Sequence, residues 1–141
     1  MRLGTPKALV AIQEALRCDD VALRIQAATA MGGRKDVHAA RTLVHAFNDE
    51  KDEEVQAAQL RALGRLGTRE AVEHLLEVAA PEQGLFKKKS SGLRVAAVKG
   101  LADAGTPSAM VGVKKLTLDR DESVKEAAAY ASRRRATISK P

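Results

Sequence analysis

Aromatic side chains are nearly missing from this chain: no tryptophan, one tyrosine (Tyr130) and two phenylalanines (Phe47, Phe86) among 141 residues. A β-sandwich core would lean on aromatic and β-branched residues, whereas Ala, Leu and Val suit closely packed helices. Cysteine occurs once, as Cys18, so neither an internal disulfide nor a CxxC pair can form. No unbroken apolar run is longer than Ala8–Ile12, far below the roughly 20 residues that cross a bilayer. No apolar signal-peptide segment follows Met1, so the expected location is cytoplasmic, with no membrane partner. GxGxxG, Walker, HExxH and GxSxG patterns are missing too, which removes the familiar nucleotide, zinc-protease and hydrolase signatures.

What is present is a soluble composition, 45% apolar and 30% charged, at a length that suits one domain. The net charge of +6 is unevenly spread. Residues 1–80 hold 11 Lys+Arg against 12 Asp+Glu, while residues 81–141 hold 13 against 6. The cationic excess therefore belongs to the second half and favours an acidic partner.

The chain also repeats itself. DVALRIQAATAM (20–31), DEEVQAAQLRAL (52–63), SSGLRVAAVKGL (90–101) and DESVKEAAAYAS (121–132) align on Leu23, Val55, Leu93 and Val124. These anchors are spaced by 32, 38 and 31 residues, so a period near 31 holds, with about seven residues added before the third copy. Asp20, Asp52, Ser90 and Asp121 each precede the anchor by three residues and can cap a helix. Apolar positions follow at helical spacing, as in Ala27, Ala28 and Met31 or Ala97, Val98 and Leu101. Upstream of each lies another helical stripe, opened by Thr5-Pro6, Asp36-Val37, Thr68-Arg69 or Thr106-Pro107. Short links make the two helices of a unit antiparallel, and one such hairpin must stack on others to bury both faces.

The strings G-T-P…A-L (4–9), D-x-x-V (52–55 and 121–124), L-R-x-A-A-x-x-x-L (93–101) and G-T-P-S-A-M (105–110) resemble bacterial HEAT-like repeats of the phycobilisome-lyase type. The expectation is an all-α, short right-handed α-solenoid of four helix-turn-helix units, about 4–33, 34–66, 67–104 and 105–135. These form one domain over 1–135, with a loop insertion at 81–89 and a disordered tail at 136–141. The resemblance further implies first helices on the convex face, second helices on the concave face, and a scaffold role. Two departures stand out. Gln59 replaces the alanine found as Ala27, Ala97 and Ala128, and Ser132 replaces the apolar residue found as Met31, Leu63 and Leu101. The first puts a polar group near the core, and the second suits a terminal cap.

Catalytic and metal sets are hard to assemble, and none is expected; nor is a cofactor. His38 and His45 share one first helix and His74 lies on another, without a Cys or carboxylate to complete a zinc set. Cys18 falls in a turn without a paired His. The acidic clusters (Asp19, Asp20; Asp49, Glu50, Asp52, Glu53, Glu54; Asp119, Asp121, Glu122) fit caps and first turns of second helices. Recurring Arg24, Arg94 and Lys125, one residue after the anchor, are expected to tie to such carboxylates.

Partner-binding candidates come from two places. Six residues after the anchors stand Thr29, Arg61, Lys99 and Tyr130; ten after, Gly33, Arg65, Asp103 and Arg134. Arg61, Lys99, Tyr130, Arg133 and Arg134 would form a basic ridge on the concave face. The inserted PEQGLFKKK (81–89) adds Lys87, Lys88 and Lys89 on a loop, where scaffolds often carry function. The favoured function is a non-catalytic protein–protein interaction scaffold for an acidic partner. Binding to nucleic-acid phosphates is the alternative, supported by a pI near 9.7 and opposed by the shortage of aromatics for base stacking. A bilin lyase-isomerase follows from the resemblance alone, and no suitable Cys or aromatic pocket supports a tetrapyrrole. Because the first helix carries Ala8, Leu9, Val10, Ala11, Ile12, Ala15 and Leu16, more than one stripe needs, self-association or docking at that end is expected, or else missing preceding repeats.

Overall fold

A short oxygen-bearing side chain opens each second helix by taking up amide protons that have no intrahelical partner. Asp20 Oδ1 accepts from Ala22 N at 2.9 Å, Asp52 Oδ1 from Glu54 N at 2.9 Å and Asp121 Oδ1 from Ser123 N at 3.0 Å. Ser90 Oγ accepts from Leu93 N at 3.1 Å. First helices open similarly at Thr68 and Thr106, whose hydroxyls accept from Ala71 N and Ala109 N. In the computed structural model, which describes residues 6–34, 36–81 and 89–139, the helices are α1 Pro6–Ala15, α2 Val21–Gly32, α3 Ala39–Asp49, α4 Glu53–Leu66, α5 Arg69–Ala79, α6 Ser91–Ala104, α7 Pro107–Leu116 and α8 Glu122–Ser139. No strand occurs among the described residues. The protein is an α-solenoid of helix-turn-helix repeats.

Two boundaries differ from expectation. Asp36 does not cap α3: its Oδ1 accepts from His38 N at 2.7 Å, closing an Asx turn that delays the helix to Ala39. The expected disordered tail is helical through Ser139, because no glycine or proline interrupts α8 before that point; Lys140 and Pro141 lie outside the described residues. Gly67 and Gly105, at φ 62° and 63°, close α4 and α6 in the left-handed conformation that glycine adopts without strain.

The core is built from Ala, Leu and Val. Met31, Leu43, Leu60, Leu63, Leu75, Leu101, Val98 and Val113 are fully buried in one continuous cluster. Second helices stack directly on one another in the order α2, α4, α6, α8, while first helices touch one another only sparsely. Small residues allow this closeness. A Cβ on Gly64 would stand 2.4 Å from Gly100 O, and one on Gly32 would stand 2.9 Å from Ala62 Cβ. The second helices are therefore the more closely packed of the two layers.

Charged clasps join units along the edge that carries the intra-unit turns. Arg24 donates to Glu50 of the next unit (Nε–Oε2 2.9 Å, Nη2–Oε1 3.2 Å) and to Cys18 O at 2.8 Å. Arg94 repeats the arrangement with Asp119 (3.0 and 2.5 Å) and Ala79 O at 3.0 Å. Each guanidinium thus ties the end of its own first helix to the following turn. The expected carboxylate contact exists for Arg24 and Arg94, with these turn residues rather than the cap aspartates as acceptors, whereas Lys125 is exposed and has no ion pair among the described residues. Between units two and three the ladder is interrupted. Gln56 holds the arginine's place and bonds only to Glu50 O, and Ser90 Oγ donates to Glu53 Oε1 at 2.7 Å instead.

Candidate interaction surface

On the layer of second helices, equivalent residues of successive helices form rungs. Three residues after the anchor stand Gln26, Ala58, Ala96 and Ala127, and the three alanines are buried or half-buried, giving a low floor. Six after the anchor, Arg61 on α4, Lys99 on α6 and Tyr130 on α8 are exposed, Tyr130 by 61%. Further along, Arg65 and Asp103 are exposed on α4 and α6, and Arg133 and Arg134 on α8. Long cationic side chains therefore stand over a floor of methyl groups, an arrangement that offers both apolar contact and charge.

Arg61 and Lys89 have partners within the chain. Arg61 Nε lies 3.6 Å from Asp103 Oδ2. This solvent-exposed pair is weak by nature and exchangeable for a stronger anion. Lys89 Nζ donates to Glu77 O at 2.6 Å and Ala80 O at 3.1 Å, capping the C-terminal end of α5, where a cation complements the helix dipole. Lys87 and Lys88 lie outside the described residues. A role not anticipated from sequence falls to Arg135, which bends back to donate to Ala102 O (2.6 Å) and Asp103 O (3.2 Å) and so closes α6. Its signal was weak, since one arginine among three in a row reads as solvated charge.

The turn edge contrasts with this basic face. Asp119 is held below the ordinary carboxylate range, first by the hydrogen bonds from Arg94, and Asp121 by that from Ser91. Glu50 on the Arg24 clasp is likewise nearly buried, with 7% of its side chain exposed. These carboxylates are structural acceptors in use. A cleft of about 790 Å³ between α1 and α3 is lined by Gln13, Leu16, Cys18, Thr42, His45 and Asp49 among others. Later junctions fill the space between first helices with the His74–Phe47 ring pair, at 4.9 Å, and with Leu76 against Gly112. Among the described residues no three His, Cys, Asp or Glu side chains could hold a metal ion, and no helix is long and apolar enough to cross a membrane.

The family model for HEAT repeats matches residues 8–84. The match stops inside the inserted 81–89 segment, where the period is lost. No curated protein matches the chain.

Proposed function

The chain belongs to the HEAT-repeat family, and on that premise we propose that the second helices line its concave face and make it a non-catalytic docking surface for an acidic protein segment. HEAT repeats are in general protein-interaction scaffolds and typically non-catalytic. One observation carries the specific reading: Arg61, Lys99 and Tyr130 stand exposed at one register on three directly stacked helices, over the Ala58, Ala96 and Ala127 floor. Arg65, Arg133 and Arg134 extend the positive potential, and Lys87 and Lys88 add to it by sequence. Lys89 contributes through the α5 cap, not as a ligand. A helical or extended partner bearing carboxylates and a few small apolar residues meets both the cations and the floor.

The test is a titration of the chain with a fluorescent poly-glutamate peptide and, separately, with a short DNA duplex, each at about 50 and 200 mM salt. An acidic-segment site predicts peptide binding that is lost when Arg61→Glu and Lys99→Glu are combined, with helicity unchanged. Duplex binding that falls by about 10³ or more between the two salt levels, with no peptide binding, would instead establish the nucleic-acid reading. Peptide binding untouched by the double reversal would remove the ridge as the contact surface.

A further inference from the structure

Among the carboxylates of the second helices, Asp103 stands apart. Glu53, Glu54, Glu122 and Glu126 lie at least one turn nearer their helix starts than the rung of Arg61, Lys99 and Tyr130. Asp103 lies beyond that rung, in the next one, which α4 fills with Arg65 and α8 with Arg134. It is the one acid in either rung. Its position is locally unfavourable, because the residue before last in α6 meets the negative end of the helix dipole. The equivalent Arg65 suits that end of α4. The end of α6 does not depend on Asp103 either. Gly105 closes it with its N–H on Leu101 O, and Arg135 takes up Ala102 O and Asp103 O. The contact that the carboxylate does make, 3.6 Å from Arg61 Nε, joins two exposed side chains and adds little to stability. A charge that stabilises neither its helix nor the stack, standing among cations, marks a place where function set the residue.

We propose that Asp103 is the specificity-determining residue of this face: it turns away the continuous phosphate backbone of nucleic acid and admits an acidic protein segment. The inference rests on the docking reading above. Cations stand on three sides of Asp103: Lys99 one turn earlier on α6, Arg61 and Arg65 on α4, and Arg134 on α8. With no acid among them, these cations would take any polyanion. Duplex DNA carries a negative charge about every 1.7 Å along its axis, so it cannot cover Arg61 and Lys99 without setting phosphates against Asp103. Like charges so juxtaposed are strongly unfavourable. A protein segment instead carries its acids at chosen positions. It can place carboxylates on Arg61 and Lys99 and a hydrogen-bond donor, such as serine, asparagine or lysine, on Asp103. Selection by a built-in repulsion costs the favoured partner only the exposed Arg61–Asp103 pair.

Binding of the poly-glutamate peptide and of the DNA duplex to the full chain, compared at about 50 mM salt, tests this. Asp103→Asn is expected to tighten duplex binding by about tenfold or more. The peptide, whose glutamates swing on flexible stems, gains only about two- to fivefold, the worth of the released pair. Asp103→Lys widens the gap further, and helicity is unchanged in both variants. Glu73→Gln, which removes the same charge from α5 in the other layer, leaves the ratio of the two affinities as it was. A ratio unmoved by both Asp103 variants, with peptide binding still lost on combining Arg61→Glu and Lys99→Glu, overturns this inference alone. So does tight duplex binding by the unaltered chain, or an equal shift with Glu73→Gln, which would reduce the effect to net charge. Peptide binding indifferent to the double reversal overturns the docking reading, and this inference with it.

Discussion

Gln59 is the residue most at odds with its surroundings. It is fully buried on α4 with neither Oε1 nor Nε2 hydrogen-bonded, at a register where the other units carry alanine. An unmade buried hydrogen bond costs about 1–3 kcal/mol per group, so an apolar side chain of similar length is expected to be better tolerated. Gln59→Met should raise stability by about 1–2 kcal/mol, read as a higher denaturant midpoint with an unchanged slope. His74 supplies a second residue-scale outcome. Burial pushes its pKa below the ordinary 6.5, with Glu77 pulling weakly the other way. The unfolded chain therefore takes up this proton at a higher pH than the folded one does. Stability attributable to His74 is complete above pH 6.5 and declines as pH falls below it toward the folded value. His74→Phe, which keeps the edge-to-face contact with Phe47, should flatten that slope in urea titrations between about pH 7 and 5.

At the scale of the element, helix starts were readable wherever a cap side chain bonds its own first turn, as at Asp20, Asp52, Ser90, Thr68 and Thr106. Asp36 misled because the same oxygen can close an Asx turn, and the choice between the two depends on where His38 is held. Glycines within helices misled more. Gly64 and Gly100 read as weak points by propensity, yet their recurrence in register with Gly32, Ala62 and Ala131 marks the seam between units. Gly64→Ala should be strongly destabilising although alanine favours helix, because its Cβ would stand 2.4 Å from Gly100 O and 2.6 Å from Gly100 Cα. A loss of about 2 kcal/mol or more on overpacking grounds is expected in thermal melts; a gain would mean that α4 and α6 are not in backbone contact.

At the scale of the whole molecule, the period carried the solenoid and placed Arg61, Lys99 and Tyr130 on one layer. It could not show that Asp103 pairs with Arg61 or that Lys89 caps α5, because both contacts depend on helix spacing that no single stripe encodes. The clasps were half visible: Arg24 and Arg94 recur, but their acceptors sit in the following unit and only stacking brings them near. In such an array stability is a sum of unit and junction contributions. Arg94→Ala strands the nearly buried Asp119 carboxylate and should cost about 3 kcal/mol. The loss should fall on the last junction, so amide exchange in α7 and α8 should accelerate before that in α2 and α4. Uniform acceleration would show that the stack unfolds as a single cooperative unit.

The middle junction carries a practical consequence. Units two and three are held by helix backbones in contact at Gly64 and Gly100, with no arginine clasp at the turn edge. Extra sequence has already entered the chain there, between Pro81 and Lys89, at a seam whose grip lies on the opposite side. An epitope or reporter peptide grafted into that segment should leave the repeat register intact, whereas the same graft in the Asp49–Asp52 or Asp119–Asp121 turns would sever a guanidinium tie.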